Sequence, residues 1–311
     1  MKYQNLGPVA VVGAAFLWSL DGFLRRQLFS LPPSVVVFWE HLLGLIVLVP
    51  IMIWLWRGFK TLSRGQWLTI IVVALLSGAL GTIFYTAALG KINFIPFSVV
   101  VLLQQTQPLF AIAAAALLLK EPLTKRFWAL AAVALVAVYF VSFPNLRVNV
   151  ATGTGTLTAA LLALGAAASW GSSTALSKYS LKGTPFLNIT AARFAFAPIF
   201  ALLFTAILGK TSQLIAINST QWLYLLAITF STGLVALAIY YFGLQRVPAS
   251  RSTILELTWP VSAVLVGYLF LGERLGVTQL IGSVVLIAAM SRIAKDAYQT
   301  EKMVAGKGRQ G

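Results

Sequence analysis

The sequence predicts an all-α integral membrane protein with ten transmembrane helices, arranged as an inverted repeat of five helices plus five. Hydrophobic residues make up 59% of the 311 residues and charged residues only 10%, whereas soluble domains carry about 25% charged residues. A soluble fold of this length would expose apolar patches far larger than soluble monomers tolerate. Lipid is therefore the expected solvent for most of the chain.

Ten apolar runs in the sequence are about as long as the roughly 20 residues that a helix needs to cross a bilayer. The runs are continuously apolar, which favours helices over the strands of a membrane barrel, where apolar residues alternate with polar ones. The predicted spans are residues 7–28, 34–56, 67–89, 97–119, 127–143, 157–178, 186–208, 221–244, 250–271 and 276–294.

The positions of Lys and Arg in the short loops predict the orientation of the chain, because basic residues collect on the cytoplasmic side. If the N-terminus is placed inside, most of the 23 basic residues lie on the inner side of the membrane. We therefore expect both termini in the cytoplasm and the protein in the inner (plasma) membrane of a bacterium. Residues 297–311 are polar and Gly-rich, and they predict a disordered cytoplasmic tail.

An internal repeat is the most informative feature of the sequence. At an offset of 152 residues, Trp18 matches Trp170, and His41 matches Arg193 in position. The matches that extend this series are Pro96, Ser98, Pro108 and Glu121 with Pro248, Ser250, Pro260 and Glu273 at the same offset, and Gln66, Gly78 and Tyr85 with Gln221, Gly233 and Tyr240 at an offset of 155. They predict one five-helix repeat over residues 1–147 and a second over residues 153–296. Because five is an odd number of spans, the two repeats must lie in the membrane with opposite orientations.

Inverted repeats are a recurring plan of secondary transporters, in which two similar halves open alternately around a site near the bilayer midplane. The sequence therefore predicts a secondary transporter, working as an exporter of a small metabolite such as an amino acid by alternating access. Its energy would come from the substrate gradient or from protons. Two other classes stay open, namely a passive channel or membrane receptor for a small solute, and an intramembrane enzyme that acts on lipid, although no nucleophile and base are recognisable. The oligomeric state is left open.

Several motifs of the repeat resemble a known family. Residues 102–110, LLQQTQPLF, run into LLKEPLT at 118–124, and ELTWP at 256–260 runs into FLGERL at 270–275. These segments, with FLWS at 16–19 and SWG at 169–171, resemble the EamA family of the drug/metabolite transporter superfamily. The resemblance implies a ten-helix inverted-repeat transporter, often an exporter of amino acids or other metabolites. The EamA family often carries Arg at the position of Arg193. The counterpart of Arg193 in the first repeat is His41, so a symmetric pair of arginines is not expected.

Ionisable groups inside a membrane usually face a cavity or a partner, because hydrocarbon solvates them poorly. On this ground, and with aromatic rings that can stack on a substrate, we predict a set of substrate-binding residues. They are Trp18, Asp21, His41, Tyr85, Gln104, Gln107, Trp170, Arg193, Tyr240 and Glu256.

The roles of the charged candidates have alternatives. Asp21 shares a helix face with Trp18 and Arg25, which indicates a stripe along the pathway, although a local Asp21–Arg25 pair explains the same spacing. Because the unperturbed pKa of a His side chain lies near physiological pH, His41 is a candidate proton carrier, together with Glu40 and Glu256, or else a structural residue. Arg193 and Glu256 are expected to face a common inner vestibule, where Arg193 attracts an anion. The alternative is a structural ion pair.

Pro108 and Pro260 each remove one backbone donor and are expected to kink their helices. Gln104 and Gln107 lie beside the first of these kinks and are candidates for substrate contact, with hydrogen bonding between helices as the alternative. Glu121 and Glu273 are expected to cap the start of the helix that follows each of them.

Several functional classes are excluded by what the sequence lacks. It has no Cys and a single His, which argues against a Cys-ligated or multi-His metal site. No G-x-x-x-x-G-K-[ST], H-E-x-x-H or G-x-S-x-G motif is present, so ATP-driven pumping by this chain alone and these hydrolase chemistries are not expected. No nucleic-acid-binding motif accompanies the basic charge. We therefore expect no cofactor, no metal and no nucleic acid, with a small solute and the bilayer as partners.

Overall fold

A computed structural model describes residues 6–91, 93–119, 124–142, 154–247, 252 and 255–307. All regular structure within these ranges is helical, which confirms the predicted all-α class. Three of the matched repeat positions, Glu121, Pro248 and Ser250, lie outside the described residues. The boundary between the predicted repeats at residues 148–152 and the end of the predicted tail at residues 308–311 also lie outside them.

Nine α-helices lie in the described residues up to 142. They are α1 Leu6–Ser19, α2 Asp21–Arg25, α3 Pro33–Trp54, α4 Trp56–Lys60, α5 Arg64–Val73, α6 Gly81–Leu89, α7 Phe97–Gln104, α8 Gln107–Leu119 and α9 Lys125–Ser142. A 3₁₀ turn, Arg26–Leu28, extends α2, and a π-helical segment, Ala74–Leu80, joins α5 to α6.

The second part has the same alternation of long helices and one π-helical segment. That segment is Thr229–Gly233, and a 3₁₀ turn lies at Thr211–Leu214. The helices are α10 Thr154–Ser180, α11 Phe186–Ile207, α12 Ser219–Ile228, α13 Leu234–Arg246, α14 Thr258–Leu271 and α15 Val277–Lys307.

Six helical stretches in the described part of the chain are long and apolar enough to cross a membrane. Shorter apolar helices follow at Thr258–Leu271 and Val277–Ile293. The six are Leu6–Leu28, Pro33–Trp54, Arg64–Leu89, Gly155–Ser180, Phe186–Ile207 and Ser219–Arg246. Each of the ten predicted spans overlaps a helix, but the count of ten crossings stays a prediction.

Two differences from the predicted spans have local causes. The predicted span 97–119 is interrupted at Gln105 and Thr106, where Pro108 cannot donate the backbone hydrogen bond that would join the two parts. The last helix continues to Lys307, well into the range predicted as a disordered tail. Ala, Gln, Glu, Lys and Met residues there have high helix propensity, which explains the extension.

The repeat is visible in local structure. Ser63 and Gln66 form a capping box at the start of α5, and Asn218 and Gln221 form the same box at the start of α12. The two boxes are 155 residues apart, and the π-helical segments that follow them begin at Ala74 and Thr229, with the same separation. The offset found in the sequence therefore corresponds to equivalent backbone structure.

Helices of the first part of the chain pack against helices of the second part, and the pairs follow the repeat. Helix α3 packs on α11 and α9 packs on α15, so each of these helices contacts its own counterpart. Helix α1 packs on α13, and the equivalent pair, α10 on α6, is formed as well. Close approach of α1 and α13 depends on Gly243, where a Cβ atom would lie 2.7 Å from Val11 Cγ2 and 2.8 Å from the Gly7 carbonyl oxygen.

Many large apolar side chains lie on the outside of the bundle. Trp54 is 78% exposed and Ile53 is 70% exposed, whereas Asp21, Arg25 and Glu40 are each less than 5% exposed. Charged groups inside and apolar groups outside are the arrangement that a lipid solvent requires.

Candidate functional site

A cavity lies among the helices of both repeats and encloses about 870 Å³ of empty space, counting the part that is open to solvent. Its walls combine aromatic rings, charged groups and hydroxyl groups. The lining residues are Trp18, Asp21, Arg25, Glu40, His41, Ser77, Thr82, Tyr85, Gln107, Trp170, Ser173, Thr174, Ser177, Arg193, Phe194, Thr232, Gly233, Leu237, Tyr240, Tyr241, Glu256 and Trp259.

The structure brings nine of the ten predicted substrate-binding residues to this cavity. The exception is Gln104, which is fully buried at the end of α7 and does not line the cavity. In a continuous helix Gln104 and Gln107 would share a face, but the break at Gln105 and Thr106 separates them. Both amide atoms of Gln104 lack a hydrogen-bond partner.

Five aromatic side chains form one wall of the cavity. Trp18 lies 5.1 Å from Tyr240 between ring centroids, and the equivalent pair in the repeat, Trp170 and Tyr85, lies at 5.4 Å. Trp259 stands between the two pairs, 6.1 Å from Trp18 and 5.9 Å from Trp170. These separations are typical of interacting aromatic rings, which prefer tilted or edge-to-face arrangements. Trp170 is also fixed by its Nε1, which donates to the Ser77 carbonyl oxygen at 3.0 Å.

Arg25 is the centre of a buried charge cluster. Its Nε donates to Asp21 Oδ2 at 2.5 Å and its Nη2 donates to Glu40 Oε2 at 2.8 Å. Thr86 accepts from Arg25 Nη1 at 3.1 Å, and Thr232 donates to Asp21 Oδ1 at 2.5 Å. Asp21 and Arg25 therefore form the local ion pair and also line the cavity. The cluster joins α2, α3, α6 and the second π-helical segment.

Arg193 has a different environment. Its Nη1 donates to the Tyr241 hydroxyl at 3.0 Å and its Nη2 donates to Ser77 Oγ at 2.9 Å. No carboxylate in the described part of the chain lies within ion-pair distance of it. His41, its counterpart in the repeat, hydrogen bonds through Nδ1 to the Val37 carbonyl oxygen at 2.9 Å, and its ring lies 5.0 Å from that of Phe194.

Glu256 also lines the cavity, and its Oε1 accepts from the Tyr240 hydroxyl at 2.9 Å and from Ser252 Oγ at 2.9 Å. Arg193 and Glu256 thus line the same cavity. The alternative, a direct ion pair between them, is absent from the described residues.

Comparison with known proteins identifies the family. The model of the EamA-like transporter family matches this chain twice, at residues 5–143 and at residues 157–294. The chain belongs to the EamA-like transporter family. The double match confirms the resemblance seen in the sequence and shows a two-repeat architecture.

Two curated relatives cover nearly the whole of this EamA-like chain. The riboflavin transporter ImpX of Fusobacterium nucleatum subsp. nucleatum is 33% identical over 292 residues, which are 93% of this chain and 97% of that one. A Bacillus subtilis protein with the name "Uncharacterized transporter YwfM" is 26% identical over 92% of this chain and 93% of that one. The family and both relatives are named as transporters, and transporters are not enzymes.

A solved crystal structure also matches, with a TM-score of 0.61 and 18% sequence identity, over 93% of this chain and 96% of that one. At this identity the likeness shows a shared fold alone.

The cavity of this EamA-like chain is approximately symmetric in position but not in chemistry. At the offset of 152, Asp21 and Arg25 correspond to Ser173 and Ser177, so the charged pair of one repeat faces two hydroxyl groups of the other. The contact of Arg25 with Thr86 has its equivalent in Ser177 Oγ and the Tyr241 hydroxyl, which lie 3.1 Å apart.

Sequence reasoning missed several lining residues that the repeat could have revealed. Trp259 is the counterpart of Gln107, and Thr232 is the counterpart of Ser77. Applying the two offsets to every predicted site residue would have proposed Ser173 and Trp259 as well. Arg25 and Glu40 also line the cavity, although neither is among the binding residues predicted from the sequence.

Glu273 has a capping role, but on another helix than predicted. Its Oε1 accepts from the Phe97 backbone N–H at 2.6 Å, and its Oε2 accepts from the N–H and the Oγ of Ser98 at 3.0 and 2.6 Å. The prediction that Glu273 caps the helix after it, α15, is therefore wrong, because the chain brings α7 of the other repeat against it. Glu121, its counterpart, lies outside the described residues.

Proposed function

We propose that this chain is a secondary transporter that carries a flat aromatic solute, such as riboflavin, by alternating access of two five-helix halves. The wall of five aromatic rings in one cavity is the observation that carries the proposal. Aromatic rings bind flat solutes through offset and edge-to-face contacts, and each such pair contributes about 0.5–1.5 kcal/mol beyond the area it buries. The name of the Fusobacterium relative supports the same class of solute.

The mechanism follows from the exchange between the two repeats. Helix pairs such as α1 with α13 and α6 with α10 are equivalent in position. Two halves with similar contacts can exchange their arrangements, so that the cavity opens first to one side of the membrane and then to the other. This reasoning favours ten spans of inverted orientation, with both termini in the cytoplasm of a bacterium.

The amino-acid substrate and the direction of export stay predictions from the sequence, apart from the proposed aromatic solute. An amino acid would use Arg193 for its carboxylate, but it would leave much of the aromatic wall without a contact. The aromatic wall therefore favours a larger planar solute.

Protons are the proposed coupling ions, with Glu256 as the carrier that the contacts favour. Among the three predicted carriers, Glu40 is held by Arg25 at 2.8 Å, whereas the contacts found for Glu256 are to hydroxyl groups. Uptake measured with and without an imposed pH difference tests the coupling. A Glu256→Gln variant should transport solute without responding to that difference, and a response equal to the wild type would refute this role.

Counterflow in sealed proteoliposomes tests the proposed function. Vesicles loaded with unlabelled riboflavin should take up labelled riboflavin transiently above its equilibrium level, with saturation, whereas protein-free vesicles should not. Labelled amino acids in parallel vesicles test the substrate class expected from the sequence. Counterflow of amino acids without counterflow of flavin would overturn the aromatic solute. Solute flux that never saturates would indicate a channel.

A further inference from the structure

The cavity holds two guanidinium groups whose surroundings differ in one respect. Arg25 is neutralised by two carboxylates, those of Asp21 and Glu40. Arg193 is 9% exposed, and its hydrogen-bond partners are hydroxyl oxygens, those of Tyr241 and Ser77. A buried cation whose contacts are neutral is costly in a membrane protein unless another group compensates its charge.

The groups around Arg193 supply more donors than acceptors. A guanidinium has five N–H donors and no acceptor, and two of its terminal N–H groups are used by Tyr241 and Ser77. Because its oxygen accepts from Arg193, Ser77 keeps its own O–H as a further donor. The hydroxyl groups of Tyr241 and Ser177 lie 3.1 Å apart, and either of them can donate the hydrogen bond between them. Arg193 Nε is buried and has no hydrogen-bond partner among the described residues.

The position of Arg193 is held by the helices around it. Ser77 belongs to the first π-helical segment, and Tyr241 lies on α13, so two elements from different repeats orient the guanidinium. The Arg193 guanidinium carbon also lies 5.8 Å from the centroid of the Tyr241 ring, a cation–π contact. A guanidinium fixed in this way is prepared for a ligand with two acceptors side by side.

We propose that Arg193, with Ser77 and Tyr241, binds the hydrogen-bond acceptor edge of the transported solute and so determines specificity. The fitting chemical class is a flat heteroaromatic with two adjacent acceptors, such as a ring carbonyl beside an imine nitrogen at the edge of a flavin, or an aromatic carboxylate. The aromatic wall holds the rings while Arg193 selects the edge. This inference rests on the proposed function, because it assumes that the cavity receives a flat aromatic solute.

A purely structural role for Arg193 makes a different prediction. If Arg193 only ties α11 to the π-helical segment and α13, its replacement should weaken every ligand of the cavity to the same degree. If it binds the acceptor edge, its replacement should weaken only ligands that have such an edge. Comparing two flat ligands of similar outline separates the two roles.

Binding to the purified full-length protein in lipid nanodiscs provides the test. Riboflavin and lumiflavin carry the carbonyl edge, whereas phenazine is a flat three-ring molecule without carbonyl groups. Arg193→Gln should weaken the binding of riboflavin and lumiflavin about 10- to 100-fold, equivalent to about 1.4–2.8 kcal/mol, and leave phenazine binding unchanged. Arg193→Lys keeps the charge but loses the fork of donors, so it should show a loss of the same selectivity with a smaller magnitude.

Arg126→Gln is the matched control, since it removes the same charge. Arg126 pairs with Asp296 at 3.0 Å, is 52% exposed and does not line the cavity, so all three ligands should bind it as they bind the wild type. Equal losses for riboflavin and phenazine in both Arg193 variants would overturn the inference, as would unchanged riboflavin binding. A wild-type protein that binds none of the three ligands would instead overturn the proposed function.

Discussion

Removing Arg25 is expected to destabilise the helix bundle more than any other single loss of charge in the cavity. Its side chain is 3% exposed and makes four hydrogen bonds, two to Asp21 and one each to Glu40 and Thr86. We predict that Arg25→Met lowers the free energy of unfolding by about 3–5 kcal/mol, the usual cost of removing one partner of a buried ion pair.

The magnitude has two parts. Hydrogen bonds inside membrane proteins average about 0.6 kcal/mol each, so the four bonds together account for about 2.4 kcal/mol. The rest arises because Asp21 and Glu40 would keep two negative charges in a buried cluster without a cation between them. Met fills most of the volume of the Arg side chain, so the change in packing is small.

Unfolding of the purified protein in mixed micelles by increasing SDS, followed by helix content, measures this loss. A second variant, Arg25→Met with Asp21→Asn and Glu40→Gln, removes all three charges and should recover more than half of the lost stability. Arg25→Met with a stability within about 0.5 kcal/mol of the wild type, the range of ordinary surface substitutions, would refute the account of the cluster.

Three further predictions concern the cavity wall, the cap of α7 and the packing of α1. Trp259→Ala should weaken riboflavin binding, measured by fluorescence quenching, about 3- to 10-fold, because one aromatic contact worth about 0.5–1.5 kcal/mol is lost. Trp128→Ala, at a position 61% exposed and outside the cavity, should leave riboflavin binding unchanged. Glu273→Ala should lower the free energy of unfolding by about 1.5–3 kcal/mol, since α7 loses a charged acceptor; an unchanged SDS midpoint would speak against the cap. Gly243→Val should cost about 1–3 kcal/mol by overpacking, whereas Gly13→Val, where a Cβ atom meets nothing within 4 Å, should leave the thermal midpoint of unfolding near that of the wild type.

Much of the architecture could be predicted from sequence because lipid imposes a simple rule on composition. Continuous apolar runs predict the helices, and the repeat offset relates Gln66 to Gln221, which occupy equivalent positions in the two capping boxes. Nine of the ten predicted site residues line the cavity, because polar groups such as Arg193 are poorly solvated by lipid and therefore face the interior.

The remaining features depend on contacts that sequence spacing does not contain. The pair of Asp21 with Arg25 follows from helix spacing, whereas the contacts of Arg25 with Glu40 and of Asp21 with Thr232 join separate helical elements that spacing does not relate. The π-helical segments have no distinctive composition, and the helix break before Pro108 moved Gln104 out of the site. Glu273 reaches the start of α7 only through the packing of the two repeats.

Chemical labelling of one cavity position from both sides of the membrane tests alternating access most directly. The sequence has no cysteine, so Ser173→Cys introduces a single thiol, at a position that lines the cavity. In sealed vesicles, a membrane-impermeant maleimide added to either side should label this thiol, and saturating riboflavin should slow the labelling from both sides. Labelling from one side only, at a rate that no flavin changes, would contradict a cavity that opens alternately to the two faces of the membrane.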